Sequence, residues 1–229
     1  MRRIFFIILA VVFVMFGGCN NEDKELEAWI QAYRASKLDS YQTENEKYAD
    51  FEVDVAFLGD SLTDGYDLPK YYPQYVVVNR GIGGETTTGL EARMQVSLYD
   101  LQPKVAVMLI GANNMSSMFD NYENLLKGMA MYAPNTKVIL LSLTCMSKDW
   151  GKNNELAAYN NVKIKKFAEQ YSFAFVDLYS PLMNLATGKI YDEYTTDGGH
   201  LTPLGYQVLT GEITPVIEEQ LALWHAERE

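Results

Sequence analysis

The chain has 229 residues, 48% of them hydrophobic and 21% charged, with a formal net charge of -11. That length and balance fit one globular domain and exclude a disordered or fibrous chain. The negative charge argues against a nucleic-acid binder, which needs a basic face to displace counterions from phosphate. Two His and two Cys, all far apart, cannot build a zinc site of the usual spacing. An all-carboxylate calcium or magnesium site stays open on these counts alone.

At the N-terminus, Arg2 and Arg3 precede thirteen apolar residues, Ile4 to Phe16, followed by Gly17, Gly18 and Cys19. The run is shorter than the roughly 20 residues a membrane span needs, so it reads as the core of a signal peptide. The small-small-Cys ending resembles a bacterial lipoprotein signal, although Phe16 stands where that pattern most often has leucine. The resemblance implies cleavage before Cys19, acylation of Cys19, and an exported protein held to a cell-envelope membrane by lipid. Residues 1–18 would then be the signal, 19–25 a tether and 26–229 the functional domain. With Arg2 and Arg3 removed, 17 basic residues face 30 acidic ones, a net charge of -13. A lipidated Cys19 also leaves Cys145 without a partner, as a buried small hydrophobe and not a disulfide half.

Along the rest of the chain, Leu26, Trp29, Ile30 and Tyr33 recur at helical spacing and predict a helix from Leu26 to about Tyr48. Five apolar runs predict strands at Val53–Leu58, Tyr75–Asn79, Val105–Ile110, Val138–Leu143 and Phe173–Asp177. Most are continuous and not alternating, as in parallel strands buried on both faces. Between them, Thr86–Leu98, Phe119–Tyr132 and Asn153–Tyr171 read as helices. A last helix runs from Pro203 to about Glu227, where Pro215 is expected to kink or split it. Alternating strand and helix define an α/β domain with an open parallel sheet. In such sheets the active site lies beyond the carboxyl ends of the strands. Gly59-Asp-Ser, Asn79-Arg-Gly-Ile-Gly-Gly-Glu-Thr and Gly111-Ala-Asn-Asn fall at such ends, and Asp197-Gly-Gly-His follows the last strand at a distance.

A serine hydroxyl becomes a nucleophile when a base takes its proton, and imidazole is the usual base near neutral pH. His225 lies at the chain's end and reads as solvated. His200 opens toward a helix, and Asp197, three residues upstream, is placed to accept from Nδ1 and leave Nε2 free for a serine. Ser61 at the tip of the first strand is the candidate for that serine, although Gly-Asp-Ser is also ordinary turn and helix-cap chemistry. An oxyanion needs donors, and the backbone of Gly84, the side-chain amide of Asn113 and the N–H of Ser61 itself can supply them. Gly-Ile-Gly-Gly could instead cradle phosphate, but no Gly-Lys-Ser/Thr follows it.

These four blocks, Gly59-Asp60-Ser61-Leu62, Gly84 within its glycine loop, Asn113 in Gly111-Ala-Asn-Asn, and Asp197-Gly-Gly-His200, resemble those of the SGNH (GDSL-type) hydrolases, in the family's order. The resemblance covers the chain from about Val53 onward. It implies a flavodoxin-like three-layer α/β/α fold with a five-stranded parallel sheet, and cofactor-free, metal-free ester hydrolysis through an acyl-enzyme. In that pattern Ser61 is the nucleophile, His200 the base and Asp197 its orienter. Ser61, Gly84 and Asn113 form the oxyanion hole, and Asp60 fixes the turn. Many members have Asp where this chain has Asn114.

For substrate, Tyr66-Asp-Leu-Pro-Lys-Tyr-Tyr-Pro and Met146-Ser-Lys-Asp-Trp150-Gly should flank the site, and their rings could stack on sugars, which favours O-acetyl esters of carbohydrate. Two alternatives remain. One is a lysophospholipase or acyl-thioesterase with Met115–Met118, Met129 and Met131 lining an acyl groove. The other is a non-catalytic glycan-binding lipoprotein.

Overall fold

The structure is a computed structural model that describes residues 21–228. The expected signal peptide and Cys19 lie outside the described residues. Helix α1 (Asn21–Asn45) leads into β1 (Val55–Gly59), the short helices α2 (Ser61–Asp64) and α3 (Leu68–Tyr71), and β2 (Val77–Gly81). Then come α4 (Thr87–Glu91), β3 (Val105–Leu109), α5 (Tyr122–Tyr132), β4 (Lys137–Leu141), α6 (Asn154–Tyr171) and β5 (Ala174–Val176). A short helix α7 (Tyr179–Leu182), a small hairpin of β6 (Met183–Asn184) and β7 (Lys189–Ile190), and the long α8 (Pro203–Ala226) complete the chain.

Strands β1 to β5 form one parallel sheet in the order β2-β1-β3-β4-β5. This is the expected flavodoxin-like α/β/α arrangement, with the reversal of strand order between β1 and β3. Side chains alternate across the sheet, so each continuous apolar run feeds two cores. Val55, Phe57, Val105, Val107, Leu109, Ile139 and Leu141 pack under α8 with Leu209, Ile213 and Ile217. Leu58, Ala106, Met108, Ile110, Val138 and Leu140 pack on the opposite face with Leu90, Leu125, Met129 and Ile164 from α4, α5 and α6.

The strands sit within two residues of where the apolar runs end. The helices differ more. Helix α1 covers Asn21–Asn45, so residues 21–25, ahead of the expected helix start at Leu26, are helical. The stretch expected to be one helix from Thr86 to Leu98 is α4 followed by a wider turn over Gln95–Tyr99, where Asp100 N–H donates to the carbonyl of Gln95 at 2.9 Å. That extra residue per turn still leaves Leu90, Met94 and Leu98 all buried. Helix α8 runs unbroken through Pro215. Pro215 and Gly211, the residue four positions earlier whose carbonyl loses its partner, both lie on the exposed face, so water can satisfy that carbonyl. Cys145 is free and buried, and burial pushes its thiol up to about 12, which makes it inert packing.

One steric constraint ties the sheet to the turn that follows it. A Cβ on Gly59, the last residue of β1, would lie 2.4 Å from the carbonyl oxygen of Leu109 on β3 and 2.2 Å from Thr63 Oγ1. The backbone of β3 and the first turn of α2 therefore close directly over this position. Gly59→Ala must push α2 outward, an overpacking cost of about 1–3 kcal/mol. A lowered urea midpoint together with loss of any activity that depends on Ser61 is the expected outcome, measured by chemical denaturation and ester turnover.

Candidate active site

Three sequence blocks meet at the carboxyl end of the sheet. Ser61 is the first residue of α2, so its own N–H is one of the helix-end donors without an intrahelical partner. Asp60 caps this helix, its Oδ1 accepting from Leu62 N–H at 3.1 Å. His200 Nε2 stands 3.0 Å from Ser61 Oγ, and His200 Nδ1 stands 2.7 Å from Asp197 Oδ2. With the proton on Nδ1 donated to Asp197, Nε2 is left to accept from the serine hydroxyl. Asp197 Oδ1 also accepts from the N–H groups of Gly199 (2.9 Å) and His200 (2.7 Å), so the carboxylate folds its own loop around itself. Burial alone would raise the Asp197 carboxyl, but the ring and backbone hydrogen bonds from His200 and that from Gly199 outweigh it and hold it below its ordinary value.

The glycine loop after β2 is a turn closed by Glu85 N–H donating to the carbonyl of Ile82 at 3.1 Å. Gly84 takes its third position with φ +75, a value glycine adopts freely and that turns of this kind require. No atom lies within 4 Å of where a Gly84 side chain would begin, so that side of the backbone faces open space. Asn113 follows β3 and donates from Nδ2 to the carbonyl of Glu85 at 2.9 Å, which ties the amide to the Gly84 loop. Asn114 points elsewhere. Its Oδ1 accepts from Thr87 N–H at 3.2 Å and its Nδ2 donates to Thr87 Oγ1 at 2.9 Å, pinning the start of α4. An Asp in its place could accept from Thr87 N–H but not donate to Thr87 Oγ1.

Other sequence expectations separate here. Tyr66 and Tyr72 are core residues that meet Phe57 edge to face and tilted, and Tyr206 packs on Tyr66; none of these rings is offered to a sugar. Met115, Met118 and Met129 are likewise buried in the core under α5 and α6 and line no open groove, while Met131 is exposed. Trp150 does reach the site. Its ring meets His200 edge to face at a centroid distance of 6.0 Å, and Ser147 N–H donates to the Gly198 carbonyl at 2.8 Å, so the loop after β4 braces the histidine loop. His225 is exposed near the end of α8, away from this constellation. Among the described residues no group of three or more His, Cys, Asp or Glu side chains is set to hold a metal, and no helix is long and apolar enough to cross a membrane.

Sequence reasoning missed Glu85 and Arg93. Both are buried, and Arg93 Nε donates to Glu85 Oε2 at 2.9 Å. Glu85 closes the turn before α4 and Arg93 follows α4, so no single-helix pattern pairs them; the one available hint is a charged residue beside the apolar Leu90, Met94 and Leu98.

A sequence profile of the GDSL-like lipase/acylhydrolase family matches residues 57–208, and the chain belongs to that family. A Streptococcus pneumoniae protein, provisionally described as a platelet activating factor, has a solved structure with a TM-score of 0.77 at 26% identity; the match covers 87% of this chain and 100% of that one. A GDSL-like lipase from Bacteroides thetaiotaomicron is similar with a TM-score of 0.69 at 25% identity, covering 80% of this chain and 97% of that one. An acetylxylan esterase from Geobacillus stearothermophilus shares the fold, with a TM-score of 0.59 at 21% identity over 73% of this chain and 95% of that one. No curated protein matches the chain.

Asp60 gives the site a distinct pH signature. It is 1% exposed, its Oδ2 has no hydrogen-bond partner, and burial pushes its carboxyl up to about 6 against the opposing Leu62 N–H. The unfolded chain releases this proton near 3.8. Between those values the folded state binds more protons than the unfolded one, so this group's contribution falls as pH rises from 4 to 6. The expected size is about 3 kcal/mol. Asp60→Asn should flatten that segment of the stability-versus-pH curve, measured by urea denaturation at half-unit steps.

Proposed function

We propose that the chain is a serine esterase that removes small acyl groups, acetyl above all, from carbohydrate esters. The observation that carries the hydrolytic reading is the hydrogen-bonded relay from Ser61 Oγ through His200 to Asp197, at 3.0 and 2.7 Å. Ser61 Oγ attacks the ester carbonyl as its proton passes to His200 Nε2. The tetrahedral intermediate's oxygen takes hydrogen bonds from Ser61 N–H, Gly84 N–H and the second Nδ2 hydrogen of Asn113. The carbon–oxygen bond to the alcohol then breaks, and the alcohol leaves with the proton from His200. Water, deprotonated by the same imidazole, cleaves the acyl-enzyme and releases the acid and free Ser61.

Two features support a bulky carbohydrate alcohol in the ester. His200 and Asp197 are only part-buried, with side-chain exposures of 27% and 20%, so a polymeric substrate can approach. Trp150 places an aromatic ring beside His200, the kind of surface on which a sugar ring stacks. The fold is one that an acetylxylan esterase also uses. The proposal includes a lipid anchor on Cys19, supported by Arg2, Arg3, the apolar run and the Gly-Gly-Cys ending.

The test is hydrolysis of p-nitrophenyl esters from acetate to palmitate by the full-length protein. Acetate should be preferred, and Ser61→Ala should lower kcat by about 10⁴-fold or more. A wild-type rate in Ser61→Ala rejects the nucleophile, and a preference for palmitate rejects the short-acyl reading. Treatment with a chelator should leave the rate unchanged. Cys19→Ser should move the protein from the membrane to the soluble fraction of expressing cells.

A further inference from the structure

Helix α1 lies outside the stretch that the family profile matches, which begins at residue 57. It is also a poor core helix, with Tyr41 its one buried side chain among the described residues. A helix with so little apolar surface to bury needs another reason to dock. Its polar side chains supply one. Tyr33 and Lys37 both bind the carboxylate of Asp64, at the end of the turn that begins with Ser61. Tyr33 Oη also accepts from Gly83 N–H at 3.4 Å. Arg34 Nη1 donates to Glu85 Oε1 at 2.8 Å, and Tyr41 Oη donates to the Gly81 carbonyl at 2.6 Å. These bonds bracket the Ile82–Glu85 turn from both ends.

Glu85 is the joint. Its Oε2 is held by Arg93, its Oε1 by Arg34, and its carbonyl receives the amide of Asn113. One residue before it stands Gly84. Without Arg34, Oε1 keeps only Thr86 N–H at 3.2 Å, and the turn loses its tie to α1 on that side. We propose that α1 is a positioning element of the oxyanion site, in which Tyr33 and Arg34 hold the Ile82–Glu85 turn so that Gly84 N–H and Asn113 Nδ2 converge on the developing charge. This rests on the esterase reading of Ser61, Gly84 and Asn113. Neither Tyr33 nor Arg34 touches the substrate. Their effect belongs to the transition state, since a donor displaced by a fraction of an ångström weakens an oxyanion contact more than ground-state binding.

The experiment measures kcat and KM for p-nitrophenyl acetate in the full-length wild type, Arg34→Gln, Arg34→Lys, Tyr33→Phe and Ser61→Ala. Each is also titrated with phenylboronic acid, whose boron takes Ser61 Oγ to form a tetrahedral anion with an oxygen in the oxyanion position. Arg34→Gln should lower kcat by about tenfold or more while KM stays within about twofold. Boronate affinity should weaken in step with kcat, and Arg34→Lys should recover part of both. Tyr33→Phe, which removes a single oxygen, should show the same pattern more mildly and decides the matter if Arg34→Gln does not fold. A kcat within about twofold of wild type in the folded variants overturns the proposal. So does a rise in KM alone, or a fall in kcat with unchanged boronate affinity. Failure of the underlying reading has its own mark: Ser61→Ala would then turn over at the wild-type rate, whatever Arg34 does.

Discussion

The guanidinium of Arg93 holds together the end of the sheet on which the site is built. It is 3% exposed, and its donors go to Glu85 Oε2, to the carbonyls of Gly59 and Arg80, and to Ser97 Oγ, at 2.8–3.0 Å. Removing a cation from water is expensive, and attraction repays that cost only when geometry is good and every donor is used. Here the partners include the carbonyls of Gly59, the last residue of β1, and Arg80, the last but one of β2. The Ser61 turn leaves from the first of these strands and the Gly84 loop from the second. One buried charge thus sets the separation of the Ser61 turn and the Gly84 loop, and the carboxylate that neutralises it sits on that loop itself.

Against this well-satisfied centre, the Ser61 turn carries an unbalanced one. Asp60 is buried beside it with Oδ2 unpaired. Buried polar atoms without partners are rare and cluster where function outweighs stability. The short helix it caps presents Ser61 away from the sheet, while Leu62 and Thr63 fold back into the core. Precision in this region comes from close backbone approach and not from bulk: β1, β3 and α2 meet at Gly59 with no room for a methyl group.

Much of this was legible in the amino-acid string. The five apolar runs marked the sheet because strands buried on both faces need unbroken hydrophobicity, and Val105–Leu109 feeds both cores with alternate residues. Less legible was anything set by side chains meeting across long separations. Tyr66 and Tyr72 looked like a sugar platform and are core, because period and composition do not tell which face of a short helix turns inward. Pro215 looked like a break, yet exposure of its partner carbonyl lets α8 continue. Helix α1 was expected as a helix, but nothing local announced that Tyr33 and Arg34 reach the loops after β1 and β2.

The sequence by itself determined the class of fold, the family and the order of the blocks that carry Ser61, Gly84, Asn113, Asp197 and His200, since hydrophobic period and short motifs are local properties. Only the tertiary structure decided that Arg93 and Glu85 join two strand ends, that Asn114 serves the start of α4, and that Trp150 braces His200. Those contacts link residues far apart in the chain, and their geometry exists only once the sheet has brought its carboxyl ends together.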